Sequence, residues 1–209
     1  MQEYFGTERD TNFRWNAETL LREGFAWVGA SLHHESIDVR GSEEIRFGDF
    51  AIQTGPSLAD WDPDRYGDLR FPTSDLCYDV LSQVGRAVGP DRDRSGVDPL
   101  EGLAVARVVA VGHTLPAARL RTYIDAVHPL HHVFDGFYLQ DLNDTVVPLA
   151  KGLDVPAKLQ VRDDVDVPVV VVNTTTAVAD STPQPEAANI RVWEPAGSSH
   201  TTGAFMVRP

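Results

Sequence analysis

The sequence predicts an α/β protein built on a mostly parallel sheet flanked by helices. Short, near-continuous apolar runs recur along the chain, among them ARVVAV (106–111), FDGFYLQ (134–140) and VPVVVVN (167–173). Runs of this kind mark strands covered on both faces. Stretches with helical spacing alternate with them, which favours interleaved strands and helices. At 209 residues, 42% hydrophobic and 23% charged, the chain has the size and composition of one globular domain spanning 1–209.

The elements follow in order. WNAETLLREG reads as a helix, with Asn16 placed to cap it, Leu20 and Leu21 as apolar contacts and Gly24 to end it. FAWVGAS (25–31) is short, apolar and aromatic, so it reads as a buried strand. Residues 41–72 are rich in Gly, Pro and charge, and read as loop. SDLCYDVLSQVGRAVGP is a well-punctuated helix. Ser74 is its candidate cap, Leu76, Val80, Leu81, Val84 and Val88 one face, and Gly89-Pro90 its stop. After the 106–111 strand and a tight turn, Leu120, Tyr123, Ile124 and Val127 give a second helical stripe, ended by Pro129. The 134–140 and 167–173 strands follow, and IRVWEPAG (190–197) is the last.

Composition excludes several classes of function. The net charge is −13, with no block of Lys and Arg, so nucleic acid and anionic membranes are not expected partners, since phosphate binding needs concentrated positive charge. The single cysteine, Cys77, excludes an intrachain disulfide and a cysteine zinc cluster. No apolar run approaches membrane-spanning length, and MQEYFGTERD lacks the features of a signal peptide. The expected location is cytoplasmic.

The chemistry gathers at Gly112-His113-Thr114-Leu115-Pro116, where the 106–111 strand turns into a helix. A nucleophile elbow occupies that place in an α/β sheet, and the N–H after the nucleophile forms part of an oxyanion hole. Thr114 stands where a serine is usual, and Leu115 supplies the N–H.

The chain resembles the alpha/beta-hydrolase domain family of larger bacterial proteins. LLREGFAWVGAS, DWDPDRYGDLRFPTSDLCYDVLSQVGRAV, RLRTYIDAVHPLHHVFDGF, VPVVVVNTTTAV and IRVWEPAGSSH carry the likeness, in order over about residues 15–200. The resemblance implies a Ser–acid–His triad acting on an ester or lactone by acyl transfer, with no metal or organic cofactor. By position the nucleophile falls on Thr114 and the base on His200. The acid falls in NTTTAV, which holds Thr174, Thr175, Thr176 and Ala177 but no carboxylate. Asp180 is the first substitute acid, and Asp141 or Asp144, after the preceding strand, are the others. The resemblance also implies strands ahead of WNAETLLREG, for which MQEYFGTERDTNFR is too short. The first strands are therefore expected to be missing, as in a fragment of a longer protein, a sheet completed in a homo-oligomer or a sheet closed differently. An inactive relative acting as a binding or scaffold protein is the alternative function.

His113, His33 and Trp61 are the candidate substrate contacts, with ordinary loop packing as the alternative for each. His128, His131 and His132 in HPLHH lack a second ligand cluster in the sequence, so no metal is expected there. DRDRSGVDPLEG has Asp91, Asp93, Ser95 and Gly96 in phase with a calcium loop, but Glu101 falls one position early; it reads as a solvated loop.

Overall fold

The computed structural model describes residues 11–37, 44–47, 50–53, 57–93, 95–153, 159–179 and 181–199. The chain divides into two compact units, Met1–Leu81 and Ser82–Pro209.

In the first unit, helix α1 spans Thr11–Arg22. It begins ahead of Asn16, which therefore sits within the helix and does not cap it. Its end is as the sequence implies. Gly24 takes φ +82°, Phe25 N–H bonds to Leu20 C=O (2.9 Å) and Gly24 N–H to Leu21 C=O (3.1 Å). That pair of bonds satisfies the last carbonyls of the helix and requires a left-handed residue, which glycine supplies without strain. The expected strand at 25–31 does not form. Phe25 and Val28 are exposed, and among the described residues no strand pairs with the segment. An apolar run without a neighbour to take its N–H and C=O groups gains nothing from an extended ladder.

Residues 41–72 are not simply loop. After the short helix α2 (His34–Ile37), β1 (Glu44–Phe47) and β2 (Phe50–Gln53) pair antiparallel with Phe47 opposite Phe50. Helix α3 (Leu58–Trp61) is capped by Ser57, whose Oγ accepts from Asp60 N–H (3.3 Å). Helix α4 (Pro63–Tyr66) is capped by Asp62, which accepts from Arg65 N–H (3.1 Å). The acids of DWDPD thus serve turn chemistry. A 3₁₀ turn, Ser74–Leu76, leads into α5 (Cys77–Val88), which runs on into the second unit. The cap is Thr73, with Oγ1 accepting from Asp75 N–H (3.2 Å); Ser74 Oγ instead accepts from His34 N–H (3.0 Å). The buried side of α5 passes through Cys77, Leu81 and Gly85, and Leu76 is exposed.

The second unit is a four-stranded sheet, all parallel, in the order β3 (Val109–His113), β4 (Gly136–Gln140), β5 (Val169–Val172), β6 (Ile190–Trp193). No earlier strand joins this sheet among the described residues. Helix α6 (Leu115–Thr122) packs on β3 and β4. Ala110, Phe137, Leu139, Val169, Val171 and Ile190 are buried on the sheet, and Ala117, Leu120, Tyr123 and Ile124 on the helical segment.

The second helical stripe does not end at Pro129. A π-helical turn, Tyr123–Val127, follows α6, and α7 (His128–His131) follows that. Pro129 has no N–H to give to an acceptor four residues back, and the wider turn ahead of it, with His128 N–H reaching Tyr123 C=O, carries the chain past the proline. The DRDRSGVDPLEG loop is also more than solvated. The Arg92 guanidinium is buried and pairs with Asp98 through Nε–Oδ1 (2.7 Å) and Nη2–Oδ2 (3.2 Å). This guanidinium holds the Asp98 carboxyl well below the usual carboxylate range, so the acid is committed to closing the loop. No helix among the described residues is long and apolar enough to cross a membrane.

Candidate active site

The carboxyl end of β3 sets the geometry. A Cβ on Gly112 would lie 2.7 Å from the Pro116 carbonyl and 2.8 Å from Ala117 N, so only glycine lets helix α6 turn back this closely over its strand. Thr114 sits at φ +60°, ψ −116°. For a β-branched residue this is a strained backbone, worth on the order of 1–3 kcal/mol, and it persists only where its surroundings impose it. Two bonds do so: Thr114 N–H to Gln140 C=O (2.9 Å), and Ala118 N–H to Thr114 C=O (3.0 Å). Leu115 opens α6, so its N–H has no acceptor within the helix, and Pro116 has no N–H at all. The Thr114 hydroxyl donates to the carbonyl of His113 (2.6 Å).

Beside this turn is a buried carboxylate. Asp141 directly follows β4 in a left-handed conformation (φ +51°) and is 1% exposed. Oδ1 accepts from Thr174 N–H (2.8 Å) and from Thr174 Oγ1–H (2.6 Å); Oδ2 pairs with His113 Nε2 (2.9 Å). Burial pushes the Asp141 carboxyl up, but the bonds from His113 and Thr174 together outweigh it and bring it down to about 2. It is ionised at neutral pH and can only accept, so the His113 Nε2 it faces carries a proton.

The register of β3 on β4, His113 opposite Gln140, brings these groups together. NTTTAV contributes as well, though not with an acid. Thr174 donates to Asp141, and Thr175–Ala179 forms a short helix, α8. The carboxylate at this edge of the sheet therefore comes from the loop after β4. Asp144, the other substitute, accepts from Thr182 N–H (2.7 Å) and Thr182 Oγ1–H (2.9 Å). His200 and Asp180 lie outside the described residues. His33, half-buried, and Trp61, 45% exposed and stacked on Tyr66 (centroids 6.4 Å), belong to the first unit.

A second cluster occupies the opposite end of the strands. His128 Nε2 contacts Asp166 Oδ1 (3.0 Å) and His132 Nδ1 contacts Asp166 Oδ2 (3.1 Å). Sequence reasoning had HPLHH in view but missed Asp166. The usable signal was the i,i+4 spacing of His128 and His132, which sets both rings on one side of a helical turn.

A mostly parallel sheet with a strained hydroxyl residue on the strand-to-helix turn after β3, packed over a glycine, is the arrangement of an α/β-hydrolase-like fold. Residues 1–208 match the family described as "Alpha/beta hydrolase domain", and the chain belongs to that family. No curated protein and no solved structure gave a match.

Proposed function

We propose that the chain is an ester or lactone hydrolase that works by acyl transfer with Thr114 as the nucleophile. The observation that carries this reading is the strained backbone of Thr114, φ +60° and ψ −116°, kept at the elbow by a β-branched residue that has no conformational reason to be there. In this mechanism Oγ1 of Thr114 attacks the substrate carbonyl carbon as its proton passes to the imidazole of His200. The oxyanion accepts from Leu115 N–H. Collapse breaks the bond to the alcohol oxygen, which takes the proton from His200, and water then releases the acid by the same route. The acid in this reading is Asp141, which is buried, ionised and bonded to His113 beside the elbow, with Asp180 as the other candidate. His113 binds the substrate from the Asp141 side.

The second reading is a hydrolase relative that binds without turning over. The observation in its favour is the Thr114 hydroxyl, which donates to its own neighbouring carbonyl at 2.6 Å. Intact-mass analysis after fluorophosphonate treatment separates the two. One adduct per chain, absent from Thr114→Ala, supports the enzyme. No adduct on folded protein, with an adduct gained in Thr114→Ser, means the pocket survives without a working nucleophile.

A further inference from the structure

We propose that His128, His132 and Asp166 form a binding site for one divalent first-row transition ion, zinc being the best fit. Their ligand atoms, one from each residue, all lie within 4.8 Å of one another. Around a tetrahedral zinc with bonds of about 2.0–2.1 Å, ligand atoms stand roughly 3.3 Å apart. The two imidazole nitrogens already stand 3.0 and 3.1 Å from Asp166, each on a different carboxylate oxygen, so side-chain adjustment would bring one oxygen and both rings around an ion. The donor set, two imidazoles and one carboxylate, suits such an ion better than calcium or magnesium, which take oxygen.

The setting of His128 identifies the nitrogen that would bind. It is 1% exposed, and its Nδ1 is buried without a hydrogen-bond partner. Phe137 stands edge-on to the ring (5.1 Å, 87°), so the polar contact that orients this imidazole is the one at Nε2. An ion would bind at that same nitrogen, in place of its contact with the exposed Asp166 carboxylate. On binding, the ion takes the lone pairs of His128 Nε2 and His132 Nδ1, and each ring keeps its proton on the other nitrogen. Both histidines are then neutral ligands, and Asp166 supplies the negative charge.

A cleft of about 190 Å³ opens on the cluster, and Arg162 and Asp164 also line it. The Arg162 charge is held by a bidentate pair with Asp164, while Arg162 N–H bonds to Asp125 (2.9 Å). This leaves room for water as the fourth ligand. His132 precedes β4 and Asp166 precedes β5, so the site lies at the amino ends of strands whose carboxyl ends hold Thr114 and Asp141. Its role is therefore to tie the end of α7 to the segment before β5, not to act on substrate.

The test uses untagged protein freed of metal with a chelator, titrated with zinc chloride by calorimetry and followed by thermal unfolding. His132→Ala and Asp166→Asn alter exposed groups and spare buried His128; His131→Ala, whose Nδ1 lies on Arg86 (3.1 Å), is the control. Expected are one ion per chain, a rise in Tm with zinc, about a tenfold or greater loss of affinity in the first two variants, and unchanged affinity in the control. The proposal is overturned if zinc in about tenfold molar excess neither binds nor raises Tm, or if binding survives both variants intact.

Discussion

Replacing Asp141 by asparagine tests the architecture of the site most directly. The carboxylate is 1% exposed, receives three hydrogen bonds and titrates near 2 in place of the ordinary 3.8. At about 1.4 kcal/mol for each tenfold change in acidity, that difference is worth about 2 kcal/mol of stability. In the unfolded chain Asp141 takes up its proton as pH falls through about 4, whereas in the folded chain it does so only near 2. Acid therefore favours unfolding across that window, and the 2 kcal/mol is fully present above it. The assay is urea unfolding by tryptophan fluorescence, from pH 6 down to 2.5, on wild type and Asp141→Asn. The variant should be about 2 kcal/mol less stable at pH 6, and the difference should close as pH falls toward 2. Parallel curves for the two proteins would refute the reasoning, since they would mean that Asp141 titrates alike in both states.

Three further outcomes follow from the packing. Gly112→Ala places a methyl against helix backbone that cannot swing aside (2.7 Å), so it should cost more than about 3 kcal/mol in chemical unfolding and abolish any adduct at Thr114. Gly85→Ala meets movable side chains, Val133 Cγ1 at 2.5 Å and Phe134 at 2.9 Å; a loss of about 1–3 kcal/mol is expected in the same assay, with the fold retained by circular dichroism. Thr114→Gly relieves the elbow, a gain of about 1–3 kcal/mol that outweighs the roughly 0.5–1 kcal/mol entropic cost of glycine. Its Tm should equal or exceed that of wild type, and a clear drop would show that the turn carries no strain.

How far the sequence discloses this structure depends on where each element finds its partner. The strands at 136–140 and 169–172 are legible because a central strand in a parallel sheet is apolar on both faces. FAWVGAS carries the same signature and misleads, because composition does not say whether a neighbouring strand is there to receive it. EIRF and FAIQ are too short for their alternation to stand out from the charged residues around them. Ser74 and Pro129 fail for a different reason. A contact forty residues away claims the serine, and a π-helical turn absorbs the proline, neither of which is written locally. In the site, Thr114 is legible from glycine and the strand-to-helix change, whereas the bond from His113 to Asp141 depends on the register of β3 against β4.

The absent acid of NTTTAV and the buried acid after β4 are best understood as one arrangement. Thr174 turns both its N–H and its hydroxyl onto Asp141 Oδ1, so the segment offers donors where a carboxylate is usual. A second carboxylate beside Thr174 would face Asp141 at close range in a site screened from water, and such a pair cannot both ionise at neutral pH. Only one acid fits this corner, and with Asp141 in it a threonine at 174 is more favourable than an aspartate or glutamate. The local irregularities point the same way. The left-handed Asp141 and the strained Thr114 both sit at the carboxyl ends of neighbouring strands, joined through His113. Backbone strain and a desolvated charge each lower stability, and both are concentrated at this one end of the sheet.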